Sequence, residues 1–223
     1  MAYSVYESLP QLDNLVICYD ISSPKTIIDY ADTTPAAFYD ISGRENHANV
    51  ESGEMTLTTA DGVWCLDNPG TVDGYRITTN SDLDGTDFTW VIWLHRDDQD
   101  ANFERIVEQD GLDEVIAMGN SAQGNMKWYH SGWATTSYDM PITTWTMITL
   151  TLINGGANIM YANTTNIHEI TDTRTRAGDI FVNGGSNTER YDGRMGYFAM
   201  WKSALSQTEV EQVYRITSPR YGV

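Results

Sequence analysis

Apolar and polar residues alternate along most of the chain, which is the pattern of β-strands rather than helices. The run FTWVIWLH, residues 88–95, carries apolar side chains at both odd and even positions. Such a strand is typical of the middle of a sheet that is covered on both faces. A second run, WTMITLTLI at 145–153, ends at Asn154-Gly155-Gly156 before ANIMYAN, which predicts a hairpin. Shorter runs predict strands over Leu15–Asp20, Met55–Thr59, Val63–Leu66, Tyr75–Thr78, Arg105–Gln109, Glu114–Met118, Met126–His130, Asp179–Val182 and Met195–Trp201.

The pattern changes to a helical one after Trp201. Ser206 and Glu209 have the spacing of a capping box, and apolar residues then recur every three or four positions until Pro219. A helix over 207–215 is shorter than the ~12 residues that an isolated helix needs in water. We therefore expect it to pack on the β layers, closing an edge or an end of them.

Many short strands with one helix favour an all-β sandwich or jelly roll. No Pro-rich, Ser-rich or single-sign stretch marks a domain boundary. We expect residues 1–12 to form an N-terminal arm and residues 13–223 to form a single domain.

The charge balance narrows the range of partners. The 223 residues include 31 acidic and 13 basic ones, for a net charge of −18. This charge argues against nucleic acid and membrane-surface partners, and it leaves open whether the acidity serves solubility or attracts divalent cations or a basic partner. The first twenty residues have neither a positively charged start nor a long apolar run, so we expect no signal peptide, and no apolar run approaches the ~18 residues of a membrane span. Cys18 and Cys65 could form a disulfide, but two buried thiols are expected in a chain made in the cytosol.

The stretch YDGRMGYFAMWKSALSQTEVEQVY, residues 191–214, resembles the closing strand and terminal helix of laminin-G-like, concanavalin A-like jelly rolls. Three further stretches resemble segments of that family in the expected order, namely DISGRENHANV, FTWVIWLHRD and ITTWTMITLTLINGGANIMYAN. The resemblance implies a sandwich of two antiparallel sheets with one short C-terminal helix. The chain departs from the family at Gly196 and Tyr197, where many relatives carry an acidic pair, and at Thr146, where a His is usual. Metal or ligand roles of those positions do not carry over.

Calcium is the cofactor that the resemblance suggests, with Asp40, Asn46 and Asp192 as candidate ligands. In relatives the Asp-x-Ser-Gly loop lies near the closing strand, and calcium prefers oxygen ligands from loops. The alternative is that Asp40 and Ser42 only form a turn before Gly43.

A glycan-binding platform is predicted over MKWYHSGWATTSY, residues 126–138, which groups Trp128, Tyr129, Trp133 and Tyr138 beside His130. Sugars stack on aromatic faces near a few fixed polar groups. If the segment is a strand, half of these rings point inward. Trp133, placed in a Gly-flanked loop, is expected to be exposed.

Hydrolysis is a further possibility, since catalytic relatives use two carboxylates on one strand. The nearest match is EQDGLDE, in which Glu108 and Asp110 share a face but Gly111 interrupts the strand before Asp113. We interpret it as an acidic hairpin loop and predict that the protein is not an enzyme. A glucanase-type glycoside hydrolase stays as an alternative.

The sequence therefore predicts non-catalytic recognition or assembly. Most proteins that it resembles are secreted behind a signal peptide, whereas small ones without that segment occur among bacteriophage structural proteins. The resemblance thus implies a virion surface component, as a capsid decoration or a part of a tail or fibre, made in the host cytoplasm and binding a structural protein or host glycan. A free extracellular carbohydrate-binding module is the alternative, and homo-oligomer formation is left open.

Overall fold

Two antiparallel sheets account for most of the chain in a computed structural model, which describes residues 5–27, 34–53, 55–69, 74–97, 103–109, 114–119, 125–129, 132–171, 177–183 and 190–223. The strands are β1 (Leu15–Asp20), β2 (Ala37–Phe38), β3 (Ala48–Ser52), β4 (Thr56–Ala60), β5 (Val63–Pro69), β6 (Gly74–Ile77), β7 (Phe88–Arg96), β8 (Glu104–Gln109), β9 (Glu114–Met118), β10 (Asn125–Tyr129), β11 (Trp133–Asp139), β12 (Trp145–Leu152), β13 (Ala157–Ala162), β14 (Thr165–Thr171), β15 (Ile180–Val182) and β16 (Asp192–Trp201). Helix α1 (Gln207–Thr217) follows and runs into a short 3₁₀ turn at Ser218–Arg220.

The strands form two layers. Sheet A has the order β14-β13-β12-β7-β16-β5-β4, with β1 also paired to β16, and sheet B has the order β11-β10-β9-β8-β15-β6-β3-β2. The predicted sandwich of two antiparallel sheets with a C-terminal helix is confirmed. No helix among the described residues has the length and apolar character needed to cross a bilayer.

Strand β7 is covered on both faces, as its pattern predicts. Trp90 and Ile92 belong to the core between the two sheets, whereas Val91 and Trp93 belong to a second apolar cluster on the outer face of sheet A. Every residue of the strand is buried. Apolar residues at consecutive positions are therefore needed here, because each face packs against a different layer.

Helix α1 begins as the capping box predicts. Ser206 Oγ accepts a hydrogen bond from the Glu209 backbone N–H, and the Glu209 carboxylate accepts one from the Ser206 backbone N–H at 2.8 Å. Burial alone would raise the pKa of Glu209, but hydrogen bonds from Gln11 and Ser206 outweigh it and hold that pKa below its ordinary value. A carboxylate at this end also interacts favourably with the helix dipole.

The helix covers a face of the sandwich, so the prediction that it closes an edge or an end is wrong. Val210 and Val213 join the outer cluster of sheet A. Trp93 donates its indole N–H to Thr217 Oγ1 at 2.8 Å, and its ring stacks on Tyr221 with centroids 4.3 Å apart. The apolar outer face of sheet A requires a cover, and the helix supplies it.

The described part of the predicted N-terminal arm also packs against this layer. Leu9 is buried in the outer cluster, and Gln11 Nε2 donates to a Glu209 carboxylate oxygen at 2.7 Å. The Trp201 indole N–H donates to the Pro10 carbonyl at 2.9 Å. These contacts join residues 9–11 to the start of the helix.

A bulge in β16 explains the departure from the family at Gly196 and Tyr197. The register shifts between Met195 and Tyr197. A Cβ at Gly196 would lie 2.7 Å from Tyr221 Cε1, so only glycine leaves room for that ring. Tyr197 is buried in the same cluster, with its hydroxyl 3.7 Å from Cys18 Sγ. Both positions thus serve packing beneath the C-terminal segment.

Candidate functional site

An aromatic patch lies on the outer face of sheet B, where β10 and β11 pair. We define it by Phe103, Lys127, Tyr129 and Trp133. Tyr129 pairs directly with Trp133 across the two strands. Trp133 is 42% exposed, and it is the first residue of β11 rather than part of the predicted loop.

The rings of the patch hold one another in edge-to-face contact. The Trp133 ring lies 5.1 Å from that of Tyr129 at 62°, and 4.7 Å from that of Phe103 at 80°. Aromatic pairs favour this arrangement because the positive ring edge meets the negative ring face. The Lys127 ammonium lies 5.3 Å from the Phe103 ring centroid, within cation–π range. The patch therefore presents a partly fixed aromatic surface with a positive charge at its side.

The other two residues of the predicted platform lie on the opposite side of the strands. Trp128 is fully buried between the sheets, where its indole N–H donates to the Glu114 carboxylate and its ring meets His168. Tyr138 packs against the same core, and burial raises the pKa of its hydroxyl. Including Trp128 among the glycan-binding residues is therefore wrong, because strand alternation turns it inward, and Tyr138 packs on the inner face as well. His130 lies outside the described residues.

Sequence reasoning missed Phe103. Along the chain, strands β8, β9 and β10 lie between Phe103 and Trp133. The two rings meet because these strands and β11 are consecutive neighbours in sheet B. The sequence around it has no alternation or motif that indicates an exposed contact.

Asp40 forms the turn that the sequence left as the alternative to a calcium site. Its Oδ1 accepts the Cys18 N–H at 2.9 Å and the Ser42 N–H at 2.8 Å. Its Oδ2 accepts the Ser42 hydroxyl at 2.6 Å and the Asn46 N–H at 3.1 Å. Each carboxylate oxygen already has two donors, so Asp40 links the loop to β1.

The three predicted calcium ligands do not come together. The Asn46 side chain donates to the Val16 carbonyl at 2.7 Å and accepts from Asn80. Asp192 lies at the far end of β16, seven residues before the Ala199 that pairs with Cys18, or about 20 Å in extended chain. Among the residues that the structure describes, no group of three or more His, Cys, Asp or Glu side chains is placed to hold a metal. Calcium binding stays a prediction, and these residues do not provide a shared site for it.

Of the acidic residues in EQDGLDE, the segment of the hydrolase alternative, the structure describes Glu108 and Glu114, and these two face opposite sides of the sheet. Glu108 is fully buried and pairs with the Arg105 guanidinium at 2.5 Å. Glu108 lies opposite Val115 in the β8–β9 pair, whereas Glu114 lies opposite Gln109 and binds Trp128 inside the core. Adjacent strand positions face opposite ways, so these two carboxylates do not face one substrate. Asp110 and Asp113 lie outside the described residues.

Both cysteines are free and buried. Burial raises the pKa of the Cys18 thiol, and it raises that of Cys65 to about 12. Neither thiol is a nucleophile at neutral pH, because the thiolate is the reactive form.

Comparison with known proteins identifies the fold. A family model described as the concanavalin A-like lectin/glucanases superfamily matches residues 69–211. No curated protein sequence matches the chain.

Three solved structures illustrate the similarity. The binding domain of paraclostridial mosquitocidal protein 1 superposes with a TM-score of 0.71 at 18% identity, over 91% of this chain and 52% of that one. The ligand-binding domain of botulinum neurotoxin serotype D, in complex with N-acetylneuraminic acid, gives 0.69 at 15% identity, over 96% and 53%. Domain 4 of the extracellular arabinanase AbnA from Geobacillus stearothermophilus, in complex with arabinotriose, gives 0.66 at 13% identity, over 90% and 98%. The chain spans about half the length of the two toxin domains. At these identities the similarity concerns the fold.

Proposed function

The chain belongs to the concanavalin A-like lectin/glucanases superfamily, and we propose that it is a non-catalytic, lectin-like protein that binds carbohydrate at the aromatic patch. The observation that carries the proposal is the exposure of Trp133 while Tyr129 and Phe103 hold its ring from two sides. A large exposed ring held by its neighbours is suited to stacking on the apolar face of a sugar.

The chemistry of the patch supports this use. Rings that are already ordered lose little conformational entropy when a ligand binds. Tyr129 and Lys127 add polar groups beside the rings, which can hydrogen-bond to sugar hydroxyls. The similar structures that are complexes with N-acetylneuraminic acid and with arabinotriose show that proteins of this fold are found with sugars bound.

The placement of the carboxylates supports a non-catalytic role. Glu108 is engaged by Arg105 in a buried ion pair, and Glu114 lies on the core side of its strand. A retaining or inverting glycosidase needs two carboxyl groups on opposite sides of one glycosidic bond. We expect no turnover of a broad glycan panel, and turnover that Glu108→Gln removes would contradict this expectation.

A glycan-binding screen with a matched pair of tryptophan variants tests the proposal. Trp133 exposes about 100 Å² of its roughly 250 Å², and covering that area is worth about 2.5 kcal/mol at ~25 cal/mol per Å². Trp133→Ala is therefore expected to weaken binding of a retained glycan between tenfold and about a hundredfold. Trp64→Ala is the control, since Trp64 is 37% exposed and lies on the other sheet. Equal affinity of Trp133→Ala and the parent protein would contradict the proposal.

The biological setting stays a prediction from the sequence. We propose a virion surface, as a capsid decoration or part of a tail or fibre, where the protein binds a structural partner and presents the patch to host glycan. Co-sedimentation with purified capsids or tails, unaffected by Trp133→Ala, is the expected result. Failure to co-sediment, with glycan binding retained, would favour the free extracellular module.

A further inference from the structure

The charged member of the aromatic patch is Lys127, which lies two residues before Tyr129 on β10. Met126 and Trp128, which alternate with them, point into the core, so Lys127 and Tyr129 both face outward. Residues two apart on a strand are separated by about 7 Å. Tyr129 in turn pairs with the exposed Trp133 on β11. The ammonium therefore borders the rings that are proposed to stack on a sugar.

Two contacts hold the Lys127 side chain beside these rings. Its ammonium lies 5.3 Å from the Phe103 ring centroid, and that centroid lies 4.7 Å from the centre of the Trp133 ring. The ammonium and the Trp133 ring centre are therefore at most about 10 Å apart. The aliphatic part of the side chain crosses Gly119, where a Cβ would lie 2.7 Å from Lys127 Cε. A substituent of one sugar residue stacked on Trp133 can thus reach the ammonium.

Lys127 makes no ion pair with any carboxylate that the structure describes, although acidic residues outnumber basic ones by 31 to 13. The next cation across the sheet differs. Lys127 pairs in register with Ala117, and Ala117 pairs with Arg105, whose guanidinium is bound to the buried Glu108 carboxylate. A cation–π contact leaves the three N–H donors of an ammonium available to acceptors. Lys127, unlike Arg105, can therefore serve a ligand.

The net charge of −18 opposes the binding of an anion, but solvent ions limit that opposition. The Debye length is about 8 Å at physiological ionic strength, so carboxylates elsewhere on the surface act only weakly on a ligand at the patch. Lys127 lies directly beside the ligand and is screened much less. A carboxylate also accepts a stronger hydrogen bond from an ammonium than a neutral hydroxyl does. The local charge therefore favours an acidic ligand.

We propose that the aromatic patch binds an acidic sugar, whose ring stacks on Trp133 and whose carboxylate accepts hydrogen bonds from the Lys127 ammonium. This inference rests on the proposed function and names the class of its ligand. A neutral sugar contacts the same rings but lacks the charge-assisted hydrogen bonds. Uronic acids and N-acetylneuraminic acid both carry the required carboxylate, and the probes below distinguish these two sources.

NMR titration of the ¹⁵N-labelled full chain tests the inference, with the Trp133 indole signal assigned from Trp133→Phe. The probes are two matched pairs: methyl glucuronide with methyl glucoside, and N-acetylneuraminic acid with its methyl ester. Each pair differs in the presence of the carboxylate. At low ionic strength, we expect the acid of at least one pair to bind about five- to tenfold more tightly than its neutral partner. This preference should shrink as sodium chloride is added. The pair that shows it identifies the source of the carboxylate.

Two lysine variants test the role of the ammonium. Lys127→Met keeps an apolar side chain against Phe103, and should lower the affinity for the acid to that for its neutral partner while leaving the neutral partner's affinity unchanged. Lys25→Met is the matched control, because Lys25 is exposed, follows β1 of sheet A and makes no ion pair within the described residues. It should keep the full preference.

The outcomes separate this inference from the proposed function. Equal binding of acid and neutral partner in both pairs would overturn the inference and leave the proposed function standing. Persistence of the preference in Lys127→Met, or an equal loss in Lys25→Met, would also overturn the inference alone. No shift of the Trp133 signal with any probe or with any glycan retained in the screen would contradict both.

Discussion

Replacing Gly196 with alanine should show how tightly the C-terminal segment is packed on sheet A. The new Cβ would lie 2.7 Å from Tyr221 Cε1 and 2.8 Å from its hydroxyl oxygen. The Tyr221 ring is stacked on Trp93 and lies against Trp145, so it cannot move aside without breaking those contacts. Overpacking of this kind typically costs about 1–3 kcal/mol.

The backbone adds an opposing contribution. Gly196 does not have a positive φ, so alanine is not strained there. Alanine also lowers the entropy of the unfolded chain, which stabilises the fold by about 0.4–1 kcal/mol. The free energy of unfolding of Gly196→Ala should therefore fall by about 1–2 kcal/mol.

Urea unfolding followed by tryptophan fluorescence measures this change, and a double-mutant cycle with Tyr221→Ala identifies its cause. Without the Tyr221 ring, Gly196→Ala should become neutral or stabilising, since only the unfolded-state effect remains. Gly132→Ala is the control, because a Cβ there meets nothing within 4 Å. An equal cost with and without the Tyr221 ring would refute the packing argument.

Further predictions concern stability and reactivity. Asp40→Ala should lower the free energy of unfolding by about 3 kcal/mol or more, because two buried backbone N–H groups lose their acceptor. Ser206→Ala should cost about 1 kcal/mol in chemical denaturation through loss of the helix cap. Because the pKa of Glu209 is lower in the folded than in the unfolded protein, its carboxylate stabilises the fold above its unfolded-state pKa, and this stabilisation is lost as the pH falls through its folded-state pKa. Glu209→Gln should therefore reduce the acid sensitivity of unfolding. An unchanged dependence of stability on pH would contradict this. Cys18 and Cys65 should resist a thiol reagent in native protein and both react in urea without reductant, because neither is in a disulfide.

The candidate site could be predicted only in part. The aromatic segment at 126–138 covers strands β10 and β11, which carry most of the aromatic patch, and Trp133 is exposed as expected. The sequence could not tell that Trp128 is turned inward, because aromatic residues at neighbouring positions suit either face. The contact of Phe103 with Trp133 joins segments far apart in the chain, which no local pattern reveals.

Local patterns also failed at the margins of the sheets. Strands β2, β3, β11 and β14 were not predicted, and β2, β11 and β14 are terminal strands in the two sheets. β14 has no fully buried residue, so its apolar positions do not alternate clearly. A strand that buries few side chains has little alternation of apolar and polar residues, so its sequence pattern predicts it only weakly.

By itself, the sequence determined the features that depend on neighbouring residues: most of the strands, the two covered faces of β7 and the capped start of the C-terminal helix. The tertiary structure alone decided that the helix lies over a face of sheet A, that Asp40 is satisfied by backbone donors and that Asp192 lies far from it. The physical reason is that strand alternation and helix capping depend on residues close together in the chain. Which face of a sheet the helix covers, and which distant residues come into contact, depend on the order of the strands in the sheets. That order brings together residues widely separated in sequence, such as Asp61, Thr143 and Tyr221.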